Sequence, residues 1–292
     1  MKESAQLGNR ASTVLGRRLG GELLRLRDAS GKTQHQAGQA ISATNSKIVK
    51  MERGWVPMRD PDIRVLCELY GLDDPKAVGQ LLSLARLDRE RRKAKGWWNQ
   101  YPKLFSLVEY VALEDVATSI RTWQLAIIPG LLQTPDYARS LAVGNGVWED
   151  LAEIEPFVDS RMERKRRLAG ETPLQLWAVL HEGVLRQLVG GRAVMRGQLE
   201  HLLEVARQPN VRIQVVPYLA GAHPGMTSAF TIVSFAEPGA MDVVHMDTTS
   251  TTVWLESETD AAHHRGTFDR ITRMGLAQRS SISLIDGIRK EL

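Results

Sequence analysis

Between residues 45 and 50 stand four side chains that can donate to base edges and phosphates: the amide of Asn45, the hydroxyl of Ser46, and the ammonium groups of Lys47 and Lys50. An amide pairs with an adenine edge through a donor and an acceptor together, and a lysine reaches a guanine edge or a phosphate. Ile48 and Met51 lie three apart in the same stretch and form a narrow apolar stripe if it is helical, so the four polar residues face the other way. Thr33, Gln34, Thr44 and Arg53 surround them with further polar groups. Gln34 and Thr44 are expected on phosphates, and Asn45, Ser46, Lys47 and Lys50 in the major groove. The alternative is an ordinary helical hairpin inside a core, against which the narrowness of the apolar stripe argues.

The second half of the chain also carries polar residues that could do chemistry: His181, Glu182, His223, Asp242, His245, Asp247, His263 and His264. None stands at a spacing that marks a zinc protease, a serine hydrolase or a phosphate-cradling loop. His245 and Asp247 are two apart on an expected strand, so they share a face and could meet a metal together with His223; the competing reading is plain surface or hydrogen-bonded side chains. No catalytic residue, metal or cofactor is therefore expected. Arg121, Arg139, Arg161 and Arg164 have guanidinium forks that suit an anionic ligand or an acidic partner. They could equally pair internally with Glu109, Glu114 and Glu163. Trp97, Trp98, Tyr101 and Trp123 read either as a pocket wall or as core between two domains. The Gly-rich stretch 220–225 is either a loop over a pocket or a plain connection.

These residues need elements to hold them. Thr33 and Thr44 are expected as N-caps of two short helices, 33–41 and 44–53, joined by a turn at Ser42 and Ala43 and closed by Gly54. Ala37, Gly38 and Ala40 leave room for the second helix to cross the first closely. Helices are expected over 14–29, with Arg17, Arg18, Arg25 and Arg27 in water, over 61–70 and over 75–87. The run 86–95, RLDRERRKAK, is either a solvated helix end or a source of extra phosphate contacts. Five helices around one small core form the expected first domain, residues 1–90, after a polar N-terminal tail. Residues 91–292 are expected to form a larger mixed α/β domain. The stretch 104–124 reads as a helix entering a strand, further strands fall near 174–180, 211–217, 230–235, 242–246 and 252–255, and helices near 135–139, 157–168, 182–189, 195–206, 259–274 and 276–289. The fold class is thus α+β.

Composition sets the frame. The chain has 292 residues, 43% hydrophobic and 25% charged, values of a globular protein that suit two domains. No apolar run reaches the roughly 18 residues that a membrane span needs. The start of the chain lacks the apolar core of a signal peptide, and one cysteine, Cys67, cannot form an internal disulfide, so a cytoplasmic place is expected. Residues 1–95 hold 19 Lys and Arg against 11 Asp and Glu, a surplus of +8 inside a whole-chain charge of +4. A basic first third suggests a polyanionic partner, without choosing between nucleic acid and an acidic protein.

The stretch 33–54 resembles the lambda-repressor-like helix-turn-helix of the xenobiotic-response-element regulators, in Thr33-Gln34, Ile48 and the closing Glu52-Arg53-Gly54. It departs in having Gly38 where that family has Ala, and Ser42 where it has Gly at the turn. The rest resembles the actinomycete regulators of the WhiJ or antitoxin-like type, with their C-terminal domain of unknown function. The resemblance rests on Ser119-Ile120-Arg121, on Ile128-Pro129-Gly130-Leu131-Leu132-Gln133-Thr134 with Tyr137-Ala138-Arg139, on Glu163-Arg164, His181-Glu182 and Val216-Pro217. It implies a transcription regulator that binds double-stranded DNA, nucleoid-associated when bound, with a small protein from a neighbouring gene as a possible partner. Because one helix-turn-helix touches only a few base pairs, a homodimer reading two half-sites about 34 Å apart is expected. The second domain would bind a partner or ligand and dimerise. The other reading is an antitoxin-like scaffold whose main task is to hold a small protein, with DNA binding serving autoregulation.

Overall fold

The computed structural model describes residues 13–93, 97, 108–146, 148, 150–236, 242–248, 251–255 and 257–292. The tail before Thr13, together with Trp98 and Tyr101 of the aromatic group, lies outside the described residues. The chain divides into two compact units, Met1–Gly96 and Trp97–Leu292.

The first unit is all helical: α1 (Val14–Ala29), α2 (Gln34–Ala40), α3 (Asn45–Glu52), α4 (Asp60–Leu69) and α5 (Pro75–Lys93). Three threonine hydroxyls start the first three helices. Thr13 accepts from Gly16 N, Thr33 from Gln36 N and Thr44 from Lys47 N, and each such cap is worth about 1 kcal/mol. The Gln36 side chain returns the bond to the Thr33 N–H and completes a capping box. The core consists of Leu15, Leu19 and Leu23 from α1, Ala37, Ile48 and Met51 from the next two helices, and Ile63, Leu66 and Cys67 from α4.

Two expectations for this unit are corrected. Arg27 does not stay in water: its side chain is 11% exposed and its Nε lies 2.5 Å from the Glu52 carboxylate, itself 6% exposed. The solvated helix end expected after residue 86 is corrected in part: α5 ends at Lys93 with Arg86 and Glu90 exposed, but other residues of the run are packed. Its Asp88 is buried, accepts from the Thr13 hydroxyl and pairs with Arg92 at 2.8 Å. Arg92 donates onward to the Gly54 carbonyl at 2.7 Å, and Arg89 donates to the Met58 carbonyl at 2.6 Å and pairs with Asp60.

The second unit is a six-stranded mixed sheet with helices. Its elements are α6 (Val108–Val116), β1 (Ser119–Gln124), α7 (Pro135–Asn145), α8 (Ile154–Arg164), β2 (Gln175–His181), α9 (Glu182–Arg186), α10 (Arg192–Val205), β3 (Val211–Val216), β4 (Phe230–Ser234), β5 (Val243–Asp247), β6 (Thr252–Leu255), α11 (Glu258–Met274) and α12 (Gln278–Glu291). The strand order is β3-β2-β1-β4-β5-β6. The first three strands are parallel, linked by helical crossovers, and the last three are antiparallel. One face buries Trp123, Val179, Val216, Ile232 and Val244 against Phe268 and Ile271 of α11. Trp123 is therefore core of this unit, with its indole N–H on the Gly225 carbonyl at 2.8 Å. The other face carries Ile120, Ala178, Leu180 and Ile213, all buried.

Candidate nucleic-acid interface

The turn between α2 and α3 sets how the second helix is presented. Ser42 adopts φ 52°, and among the described residues no other non-glycine has positive φ. The Ala43 N–H bonds the Gly38 carbonyl at 2.8 Å and the Ser42 N–H bonds that of Gln39 at 3.1 Å. That pair of bonds is a Schellman closure, which places its left-handed residue where glycine is usual. Gly38 sits under the turn: an added Cβ would lie 2.8 Å from the Ala43 carbonyl oxygen. At the far end Gly54 closes α3 with φ +66°, and a Cβ there would meet the backbone nitrogen of Arg17 at 2.3 Å.

On α3, Ile48 and Met51 are buried, and Asn45, Ser46 and Lys50 are exposed on the opposite side. The side chains of these three make no hydrogen bond or ion pair among the described residues. Thr33 and Thr44 are exposed, with their hydroxyls on the caps. Arg53 is exposed and its guanidinium lies over the Trp55 ring at 4.9 Å. Two of the expected contact residues are held from within. The Lys47 ammonium pairs with Asp62 at 3.0 Å, and the Gln34 amide donates to Glu52 at 2.7 Å. Asp62 also accepts from Arg59 at 2.9 Å. Burial pushes the Asp62 carboxyl up, but the hydrogen bonds and charges of Arg59 and Lys47 outweigh it and hold it below its ordinary value. Glu52 gathers Arg27 and Gln34, and so ties the end of α3 to α1 and α2.

In the second unit the four arginines are not one site. Arg164 and Glu114 form a buried bidentate pair at 2.6 and 2.8 Å, 6% and 1% exposed. Arg139 pairs on the surface with Glu155 and Asp136. Arg121 pairs with Asp242 at 2.9 Å, a carboxylate it shares with Arg265. Arg161 alone of the four has no carboxylate within ion-pair distance among the described residues. It donates to the Gln133 side chain at 3.1 Å, while its Nε is buried without a partner. Burial and the neighbouring Arg164 pull its guanidinium down to about 10. Arg161 and Arg164 both close on Gly130 of the IPGLLQT segment, where a Cβ would stand 3.0 and 3.1 Å from their nitrogens.

The histidines are likewise dispersed. His245 meets Asp247 at 3.4 Å and the rings of Tyr110 and Trp254. His223 lies elsewhere, against Trp123 and His181. Glu182 accepts from the Tyr218 N–H and pairs with Arg186. His263 and His264 line a separate small cavity with Arg270 and Thr267. Sequence reasoning missed Asp62, Asp88 and the pairing of Glu52, whose partners stand 15, 75 and 25 residues away, and the stacked pair Arg212 and Trp177.

Comparison with known proteins finds two matches. The family described as Domain of unknown function (DUF5753) matches residues 107–287. The family described as Helix-turn-helix domain matches residues 18–78. No curated protein and no solved structure matches the chain.

Proposed function

The chain belongs to the DUF5753 family, with a helix-turn-helix domain ahead of that domain, and we propose that it is a sequence-specific regulator of transcription that binds double-stranded DNA. The observation that carries this reading is the outer side of α3. Asn45, Ser46 and Lys50 stand exposed there, without partners among the described residues, on a helix fixed at both ends by Thr44 and Gly54. Such a helix can enter a major groove with its first residues at base edges. The surplus of +8 over residues 1–95 favours a polyanion, and the helix chemistry selects duplex DNA among polyanions. Thr33, Thr44 and Arg53 would meet the backbone. Lys47 would reach a base only by leaving Asp62, and Gln34 only by leaving Glu52, so both act first as supports of the reading helix.

The chain acts as a homodimer on two half-sites and resembles the WhiJ type of regulator. Its second unit is a binding part, for a ligand or a small partner protein, and not an enzyme. Such a ligand must favour one DNA-binding state over the other, or it regulates nothing. Mobility shift with Asn45→Ala and Lys50→Ala tests the reading. Asn45→Ala should relax preference at one base position by about 1–3 kcal/mol. Lys50→Ala should weaken binding and lessen its salt dependence. Unaltered sequence preference and affinity in both variants would refute the assignment of α3.

A further inference from the structure

Arg121 on β1, Trp177 on β2 and Arg212 on β3 are direct neighbours in register and form one row across the three parallel strands. Adjacent strands lie about 4.8 Å apart, so the two arginines flank the indole within roughly 10 Å. The row borders a cavity of about 430 Å³, open on one face of the sheet and lined by Ser119, Gln175, Leu176, Pro209 and Asn210 besides these three. Among the described residues its lining holds two arginines and no carboxylate.

The two guanidinium groups are prepared in different ways. Arg212 is exposed and lies over the Trp177 ring at 3.9 Å from the centroid. The indole is fixed in turn by its N–H on Gln214 at 2.8 Å and by the edge of Phe268. Stacking fixes the plane of a guanidinium and leaves its N–H fork free to take an oxyanion in two bonds. Among the described residues Arg212 has no carboxylate partner. Arg121 is steadied by Asp242 through one nitrogen, which leaves its other donors available. Asp242 serves Arg265 as well, and Arg265 has a second carboxylate in Glu258, so the uncompensated charge of the row is that of Arg212. Pro209 and the indole edge supply apolar wall between the charged groups, and the volume lies in the range of small-molecule sites.

We propose that this cavity binds a small organic oxyanion, a carboxylate or phosphate ester with an apolar body, held by the forks of Arg212 and Arg121 beside Trp177. The proposal rests on the reading of the second unit as a binding part and names its site and ligand chemistry. The indole N–H resonance of Trp177, assigned with Trp177→Phe, reports on it in the full chain without DNA. The probes are benzoate, phenyl phosphate and inorganic phosphate, with neutral benzamide as control. A saturable shift with benzoate or phenyl phosphate, absent with benzamide, is expected, and the tighter of the two identifies carboxylate or phosphate as the natural group. Inorganic phosphate should bind more weakly than phenyl phosphate because it lacks the apolar body. Arg212→Gln, a change at an exposed side chain, should weaken binding at least tenfold, and Arg212→Lys nearly as much because it keeps charge and loses the fork. No saturable shift with any anion, or equal binding by wild type and Arg212→Gln, would overturn the proposal. Either result would leave the DNA reading untouched, since that is read by mobility shift on the same preparation.

Discussion

At Ser42 a β-carbon occupies a backbone conformation that suits glycine, at a cost of about 1–2 kcal/mol. Ser42→Gly should therefore raise the stability of the first unit by about 1 kcal/mol, part of the gain being lost to the greater freedom of the unfolded glycine. Denaturant unfolding checks this, and a loss of stability would show that the serine makes a contact outweighing its strain. Gly38→Ala should go the other way. Helix propensity favours alanine by about 1 kcal/mol, but the new methyl would press on the Ala43 carbonyl inside the turn. Asp62 makes stability depend on pH. Its carboxyl is depressed in the fold, so its contribution is complete above the unfolded value near 4 and disappears as pH falls through the lower folded value. Asp62→Asn should flatten that acid limb, and an unchanged limb would count against the Lys47–Asp62–Arg59 cluster. The caps at Thr33 and Thr44, the turn and Gly54 were all legible in the sequence, because a capping hydroxyl and the N–H that donates to it lie within three residues. The partners of Glu52 and Asp62 were not, because those contacts form only when separate helices meet.

Among the elements, α5 departs furthest from expectation. Its first turns carry the apolar spacing of a helix, but its last six residues read as charge alone, and charge has no periodicity to show where it packs. The fold answers through Asp88, which holds Thr13 and Arg92 while Arg92 reaches the carbonyl that ends α3. Asp88→Ala would remove the buried carboxylate that joins Thr13 to the half-buried Arg92 and should cost about 1–3 kcal/mol. A thermal midpoint within a degree or two of wild type would contradict that clasp. Five of the six strands of the second unit were legible with their bounds, and β1 only as the end of a helix entering a strand. Their order was not, because alternation tells which face a residue takes and never which strand lies beside it. The four arginines show the same limit. Their side chains suited either a ligand or internal pairing with Glu109, Glu114 and Glu163, and Arg164 takes the second course on Glu114, inside the core between α6 and α8. Glu114→Gln should destabilise the second unit by about 3–5 kcal/mol by leaving Arg164 buried and unpaired. Near-native stability of that variant in a melt of the full chain would mean that the pair is less desolvated than its burial indicates.

At the scale of the whole chain there are two compact units: a small helical one with the positive surplus, and a larger sheet-based one that includes the DUF5753 match. None of the described helices is long and apolar enough to cross a membrane. If the first unit meets the DNA backbone through its cations, affinity should fall steeply with salt, with a log–log slope of about −0.9 for each phosphate neutralised. A dimer should double the slope of one unit, and its sites should come in pairs. Selection of bound duplexes from a random library by the purified full chain, at modest salt, tests the central claim most directly. The account predicts enrichment of two related half-sites one helical turn apart, or a multiple of it, and loss of that enrichment in Asn45→Ala. Recovery of sequences no different from the starting library, by a folded protein, would contradict it.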